Sequence, residues 1–522
     1  MPLVWALAIT LFILKTIWVA STPVRSLATT TWIIDDSFIE MRVARNIGLG
    51  RGFTFDGVHP TTGSPPLWTY LTSLNHALLP IDWAIKATFI ESAFFAMLAT
   101  VLVFLIARRV TGRTSVAWIA FALASLTGTA FFDALNGMET ALFTFLVLAT
   151  IATFLGIGKP NGRSPFAWGC VTGACGGLLL LSRADGIFLL IPLVLLELSE
   201  LLQAKQSLER RNIVQHFAGM LLGFAIGFLL LVGWQMSLTG SPLPANQVGR
   251  REMAIALHGF SFDHFALIPY LRIVAWNVFQ LENLLSIAVG GSLLALMGLA
   301  FGFAKREMRS LSLITTVYLG LYFLVLVSYQ WYFPDFHGLR YLDPAAHLLA
   351  IFIAWLIWAL PDHRLKWLST SGLTAAVIIL TLYAHYQLAS RMPWGKEMSY
   401  VGRPTAENLE KYWSSIDWIR EHLPAGTLVG VRDHGRFSMF TDLPTQDLAG
   451  NMDPIVPLKV RDGSLKEYLK DRGVAYLYIP TLEQRKDPIY RELHGKLILT
   501  KVPGQPENRE RTLFKIEWGE TK

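Results

Sequence analysis

Two adjacent carboxylates, Asp35 and Asp36, stand in WIIDDSFIEMRVARN (32–46), just after the first long apolar run. Adjacent acids repel each other, and near lipid each is costly unless it has a task. One ionised carboxylate able to take a proton, beside a second that orients a partner or a divalent cation, is the chemistry such a pair offers. The bland alternative is a helix N-cap with a solvated neighbour. SFIE (37–40) has the S-x-x-E spacing of a capping box, Ile39, Val43 and Ile47 recur at helical spacing, and Gly48 and Gly50 supply a stop. The spacing predicts a short helix with the acids just before or at its N-terminus, where the helix dipole favours negative charge.

Other ionisable groups fall where apolar runs begin or end: Glu139 in DALNGMET (133–140), Arg183 and Asp185 in SRADG (182–186), and Arg340 in FHGLRYLDP (336–344), flanked by His337 and Tyr341. Arg183 and Asp185 could pair with each other. Each position alone reads equally well as a cap or a local salt bridge. Together, acids and arginines at one membrane edge suggest a site for an anionic substrate. Arg42 belongs with them, beside Arg25, Arg45 and Arg51, because a planar guanidinium donates two hydrogen bonds at once to phosphate. No phosphate-binding Gly-rich loop, H-E-x-x-H, C-x-x-C or G-x-S-x-G occurs, which argues against an ATP-driven pump. No cofactor is required by these residues; a divalent cation at Asp35 and Asp36 is the one option they leave open.

Holding such groups at an edge is the work of the apolar runs. The 522 residues are 53% hydrophobic and only 16% charged, with a mean hydropathy of +0.43, where a soluble domain carries about 25% charged residues. About eleven runs have spanning length: roughly 3–20, 84–107, 116–132, 140–157, 167–182, 186–202, 214–236, 281–303, 311–330, 342–360 and 368–388. The first carries Lys15 and lacks a basic leader and a clear cleavage site, so it reads as an anchor rather than a signal peptide. Basic short loops at 108–113, 159–163, 204–211, 304–309 and 362–366 all lie on one side, which the positive-inside rule assigns to the cytoplasm along with the N-terminus. The net charge of +7 is then a matter of topology, not nucleic acid. Cys170 and Cys175 share one small-residue run, WGCVTGACGG, suited to close helix packing rather than to a disulfide.

The outer face receives the long loops, about 21–83 and about 237–280, and everything after 389. In the first of these, PPLWTYLTSLNHALLP is too short and polar to span. It reads as an interfacial helix with Trp68 and Tyr70 at headgroup level. Prolines and Gly240 exclude regular helix at the start of the second, SLTGSPLPANQVGRR, where a loop gating lipid entry is one reading and a plain surface loop the other. After 389 an amphipathic helix (410–426) precedes strands at 427–431, 474–480, 496–500 and 511–518, the pattern of an α/β domain of about 130 residues. The domain reading is therefore 1–388, transmembrane, and 389–522, extracytoplasmic.

The order of these blocks resembles the GT-C membrane glycosyltransferases. DDSFIEMRVARNIGLGRGFTFDG (35–57) with PPLWTYL (65–71) resembles their first outer loop, an acidic pair, a helix with R-x-x-R, a Gly-rich turn and N-P-L-W. NGMETALF (136–143) resembles G-[LM]-E-T-x-L-F, SRADG the R-P-E-G break, GSPLPAN (240–246) the G-x-P-L-P-N loop, and LRYLDP (339–344) an R-Y-x-x-P motif; 418–440 resembles the start of the outer α/β domain. Within them the chain most resembles the branch containing the mycobacterial terminal arabinofuranosyltransferases and related bacterial lipid-linked sugar transferases. HPTTGSPPLW (59–68) departs from the usual E-G-Y-T-N-P-L-W, losing an acid and an Asn, and Ala184-Asp185 replaces Pro-Glu.

The resemblance implies a polytopic GT-C fold, a polyprenyl-phosphate sugar donor, a cell-envelope glycan or lipid acceptor on the outer face, and transfer with inversion. It makes Asp35 the general base and Asp36 its helper, Arg340 a phosphate contact, and Arg42, Glu139, Arg183, Asn246, His337 and Tyr341 candidates for lining the site. Two other functions stay open on the residues alone. A lipid-linked-sugar transporter or flippase would place charges deep in several spans, where Lys15 and Glu91 are among the few. A membrane-anchored assembly protein would work through the outer domain.

Overall fold

In the computed structural model, residues 2–29, 33, 35–126, 134–258, 291–328, 343–359, 406–432, 434–480, 488–506 and 511–518 are described. The described chain is mostly helical, with one small sheet near its C-terminus. Four of these helices are long and apolar enough to cross a membrane: Pro2–Ser21, Ile81–Thr111, Pro165–Ser182 and Ser207–Thr239. Shorter apolar helices include Thr114–Leu126, Thr140–Phe154, Gly291–Ala304 and Asp343–Ala359. The expected spans at 281–303 and 368–388 lie partly or wholly outside the described residues.

The chain divides into two compact units. One comprises Met1–Pro23, Lys86–Leu231 and Phe265–Arg391; the other comprises Val24–Ile85, Val232–His264 and Met392–Lys522. Most of the loop at about 21–83 thus shares a unit with the C-terminal region.

In the first unit, Ser164 starts the helix Pro165–Ser182, its hydroxyl accepting from the Ala167 N–H at 3.2 Å, with Pro165 in the first turn where no N–H is needed. Gly169, Gly173 and Gly177 of that helix meet Gly219, Gly223 and Gly227 of Ser207–Thr239 so closely that a Cβ on Gly173 would fall 2.3 Å from the Met220 carbonyl oxygen. The small-residue packing expected around Cys170 and Cys175 takes this form, and both cysteines are free.

In the second unit, the acid-bearing helix spans Asp35–Gly48 and packs on the helix Pro66–Leu78. A Cβ on Gly48 would meet Ala77 N and Ser73 O at 2.9 Å, so this approach requires glycine. The helix begins at Asp35, so Ser37 lies inside the first turn rather than ahead of it as the capping-box spacing predicts. Gly50, Gly52 and Gly57 adopt φ of +75°, +74° and +91°, and turn the chain back over Phe53 and Phe55, which pack with Ile39, Val43 and Met452. In the second long loop a helix, Ala245–His258, starts directly after Pro244, and the Thr62 hydroxyl caps it by accepting from the Ala245 N–H at 3.0 Å.

The sheet has five strands, β1 Val429–Val431, β2 Thr445–Asp447, β3 Tyr476–Ile479, β4 Ile498–Lys501 and β5 Thr512–Glu517, in the order β2-β1-β3-β5-β4. β1 pairs parallel with β2 and β3, and β5 pairs antiparallel with β3 and β4. The predicted strands at 427–431, 474–480, 496–500 and 511–518 are β1, β3, β4 and β5. β2, reading TQD, carries no alternating pattern and was not expected.

Candidate functional site

The acid pair opens the helix Asp35–Gly48, and both residues are half-buried. Asp35 reaches a segment 400 positions along the chain. Its Oδ2 accepts from the Gly435 N–H at 2.7 Å and its Oδ1 from the Arg436 N–H at 2.9 Å. The Arg436 guanidinium adds a contact from Nη1 to Oδ1 at 3.5 Å, and it donates to the carbonyl oxygens of Ala28 (2.8 Å) and Ile33 (2.5 Å). Gly435 permits this approach, because a Cβ there would lie 2.0 Å from the Asp35 carbonyl oxygen. The negative charge of Asp35 is felt at Tyr412, whose phenol is pushed up first by burial and then by that carboxylate. Gly435 and Arg436 thus hold Asp35; in the sequence they stand out only as HGR after a short apolar strand, within the 418–440 block.

Arg42 is 1% exposed and donates from Nη1 to Asp442 Oδ1 at 2.8 Å and from Nη2 to the Leu443 carbonyl at 3.3 Å. Arg45 grips both oxygens of the same carboxylate, at 2.8 and 3.0 Å. The structure therefore places Arg42 in a clamp with Asp442. Burial opposes the charge on Asp442, but Arg42 and Arg45 outweigh it and hold the carboxyl below its ordinary range. A depressed folded-state value means that the clamp stabilises above the unfolded pKa, about 4, and is lost as pH falls through the lower folded value. Asp442 is 51% exposed, so the worth of the clamp lies between a surface pair and a buried one, about 1–3 kcal/mol. Asp442→Asn keeps a residue tolerant of φ +61°. It is expected to lower the melting temperature at pH 7, and its deficit relative to the parent should shrink as pH approaches 3 in fluorescence-monitored melts.

In the other unit, Arg183 is the hub of a second cluster. It donates to Glu139 Oε1 at 2.8 Å, to both oxygens of Asp185 at 3.0 and 2.8 Å, and more weakly to the Tyr322 hydroxyl at 3.5 Å, with the Phe143 ring 5.1 Å from its guanidinium carbon. The pairing of Arg183 with Asp185 foreseen in SRADG is present, and Glu139 joins it. Glu139 is 4% exposed, and its second oxygen has no hydrogen-bond partner among the described residues. Asn246 lies in the first turn of Ala245–His258 with its Oδ1 buried and unpaired among the described residues. His337, Arg340 and Tyr341 lie outside the described residues.

Among the described residues, no group of three or more His, Cys, Asp or Glu side chains is placed to hold an ion.

Comparisons with known proteins agree on the architecture. Residues 55–236 match the model of the dolichyl-phosphate-mannose-protein mannosyltransferase family, and residues 402–513 match a domain of unknown function, DUF8728. No curated protein matches the sequence. Among solved structures, ArnT from Cupriavidus metallidurans in the apo state aligns with a TM-score of 0.60 at 12% identity, over 98% of this chain and 97% of that one. The same protein bound to undecaprenyl phosphate gives 0.57 at 13% identity, over 98% and 97%. The oligosaccharyltransferase AglB from Archaeoglobus fulgidus, in complex with an inhibitory peptide and a dolichol-phosphate, gives 0.55 at 12% identity, over 98% of this chain and 74% of that one. The fold is similar to that of ArnT and AglB.

Proposed function

We propose that this protein is a membrane glycosyltransferase that moves a sugar from a polyprenyl-phosphate donor to a cell-envelope glycan or lipid on the outer face of the membrane. The observation that carries the reading is likeness over nearly the whole chain to proteins solved with undecaprenyl phosphate and dolichol-phosphate. The match of residues 55–236 to a dolichyl-phosphate-mannose-dependent family adds to it. The likeness of the sequence motifs to the arabinofuranosyl branch makes a pentofuranose the first donor to try.

The chemistry fits a membrane edge. A lipid phosphate is already an activated leaving group, so no nucleotide site is needed. The site must hold that phosphate as charge develops on it and take a proton from the acceptor hydroxyl through a carboxylate within hydrogen-bond reach. In an inverting displacement that base lies on the face opposite the leaving group. Asp35 is our base and Asp36 its helper. An ionised carboxylate has about four acceptor positions, so the two backbone N–H bonds at Asp35 anchor it and leave room for a hydroxyl. Arg42 and Arg183 each face carboxylates, and the likeness of LRYLDP to an R-Y-x-x-P motif makes Arg340 our phosphate contact.

The test is mass spectrometry of the lipid that copurifies with the full chain, followed by an assay with that polyprenyl-phosphate sugar in liposomes. The expected product is a new glycosidic bond with inverted anomeric configuration, and Arg340→Ala should weaken donor use. Movement of the lipid-linked sugar across the bilayer with no bond formed would replace this reading with a flippase.

A further inference from the structure

The second unit contains a cavity of about 330 Å³, within the range of small-molecule sites. Its walls come from the first outer loop (Phe55–Thr62), the end of the helix Ser207–Thr239 with the loop and helix that follow, β2, the turn after it, and the helix Leu465–Asp471 with Arg472. Phe55, Leu243, Met452 and Ile455 give it apolar faces.

One end is polar and tightly organised. Arg472 donates from Nε to Gln446 Oε1 at 3.0 Å and from Nη2 to Asp56 Oδ2 at 2.9 Å. Asp453 Oδ2 accepts from the Gln446 amide at 2.8 Å and from the Tyr468 hydroxyl at 2.6 Å. Two capacities are left over among the described residues. Arg472 Nη1 has no hydrogen-bond partner, and Asp453 Oδ1 accepts only the Ile455 N–H, at 3.1 Å. A donor fork and a carboxylate acceptor on side chains that approach to 3.9 Å match two neighbouring hydroxyls of a sugar ring.

Charge separates the candidate occupants. Asp56 and Asp453, two carboxylates, face one guanidinium and one imidazole, so the cluster carries no positive excess and does not suit a phosphate. The apolar faces suit the C–H face of a sugar. The cavity is also linked to Asp35 through two residues, His434 and Gly435. Phe55 stacks edge-on against His434 with ring centroids 4.8 Å apart, and Asp447 Oδ1 lies 3.4 Å from His434 Nδ1. His434 directly precedes Gly435, whose N–H holds the Asp35 carboxylate.

We propose that this cavity is the subsite for a neutral, hydroxyl-rich sugar ring of the acceptor, held between Arg472 and Asp453 and kept apart from the lipid phosphate. The proposal rests on the glycosyl-transfer reading above and names the substrate class of its acceptor side.

The experiment uses the full chain in detergent with two probes. Methyl α-arabinofuranoside and methyl α-mannopyranoside are followed by saturation-transfer NMR, and undecaprenyl phosphate by quenching of tryptophan fluorescence. Arg472→Lys keeps the charge but removes the fork, and Val248→Trp fills the cavity from the helix Ala245–His258; melting curves establish that both variants fold. The expected result is glycoside binding weakened about tenfold or more in each, the scale of a lost hydrogen bond to a charged group, with undecaprenyl phosphate binding unchanged. Glycoside binding that survives in both folded variants overturns the proposal. So does undecaprenyl phosphate binding that is lost in Val248→Trp, which would give the cavity to the carrier while leaving glycosyl transfer standing. Failure of the parent protein to bind either probe counts against both readings.

Discussion

Asp35→Asn is expected to reduce sugar transfer by about a hundredfold to ten-thousandfold, the usual contribution of a general base. The residue has two tasks, and a second variant separates them. Its oxygens accept the Gly435 and Arg436 N–H groups, so an amide there loses one acceptor and turns its own NH₂ toward a donor. Part of any loss could therefore come from a displaced loop. Gly435→Ala disturbs the same anchor from the opposite side, since its Cβ would meet the Asp35 carbonyl oxygen at 2.0 Å, yet it leaves the carboxylate in place. If Asp35 is the base, Gly435→Ala keeps measurably more turnover than Asp35→Asn at comparable melting temperature. Equal losses in the two variants would reduce Asp35 to an anchor. Asp36→Asn, which leaves both backbone bonds intact, should fall between the parent and Asp35→Asn.

How far the sequence could lead is clear at this same place. Ile39, Val43 and Ile47 announce a helix, and Gly48 and Gly50 announce its end, because these are local rules of spacing and backbone freedom. Acids at the N-terminus are legible too, and only the capping-box role of Ser37 fails, since the helix takes in Asp35 and Asp36. The Gly435 N–H that holds Asp35 is invisible locally because it is 400 positions away. Arg42 shows the same limit. Its type and position suit a phosphate, but Asp442 claims it across another 400 positions. β2 escaped because three polar residues have no periodicity; it exists through parallel pairing with β1. Asp447 at its end also organises the next turn, accepting from the Ala449 and Met452 N–H groups at 2.6 Å each. Arg183 and Asp185, two residues apart, could be paired by inspection, whereas Glu139 joins them from 44 positions away.

The glycine face between the helices Pro165–Ser182 and Ser207–Thr239 should be the least tolerant surface of the membrane unit. Lipid offers no hydrophobic drive for helices to associate, so close packing and backbone approach supply the attraction. Here the contact is backbone on backbone: a Cβ on Gly223 would lie 2.3 Å from the Gly173 carbonyl carbon, and one on Gly227 would lie 2.2 Å from the Gly177 Cα. No side chain can rotate away from such contacts, so the whole helix must move. Gly173→Leu is therefore expected to cost roughly 3 kcal/mol or more, at or beyond the upper end for overpacking. The cost should reach the Arg183 cluster as well, because Arg183 caps the helix Pro165–Ser182 and pairs with Glu139 and Asp185. The control is Gly320→Ala in the helix Arg306–Ser328, where nothing lies within 4 Å of the added Cβ; it should be neutral or stabilising by up to about 1 kcal/mol. Thermal melts in detergent read both. A Gly173→Leu protein that melts with the parent would mean that the two helices do not approach as described, and the Arg183 cluster would lose its support.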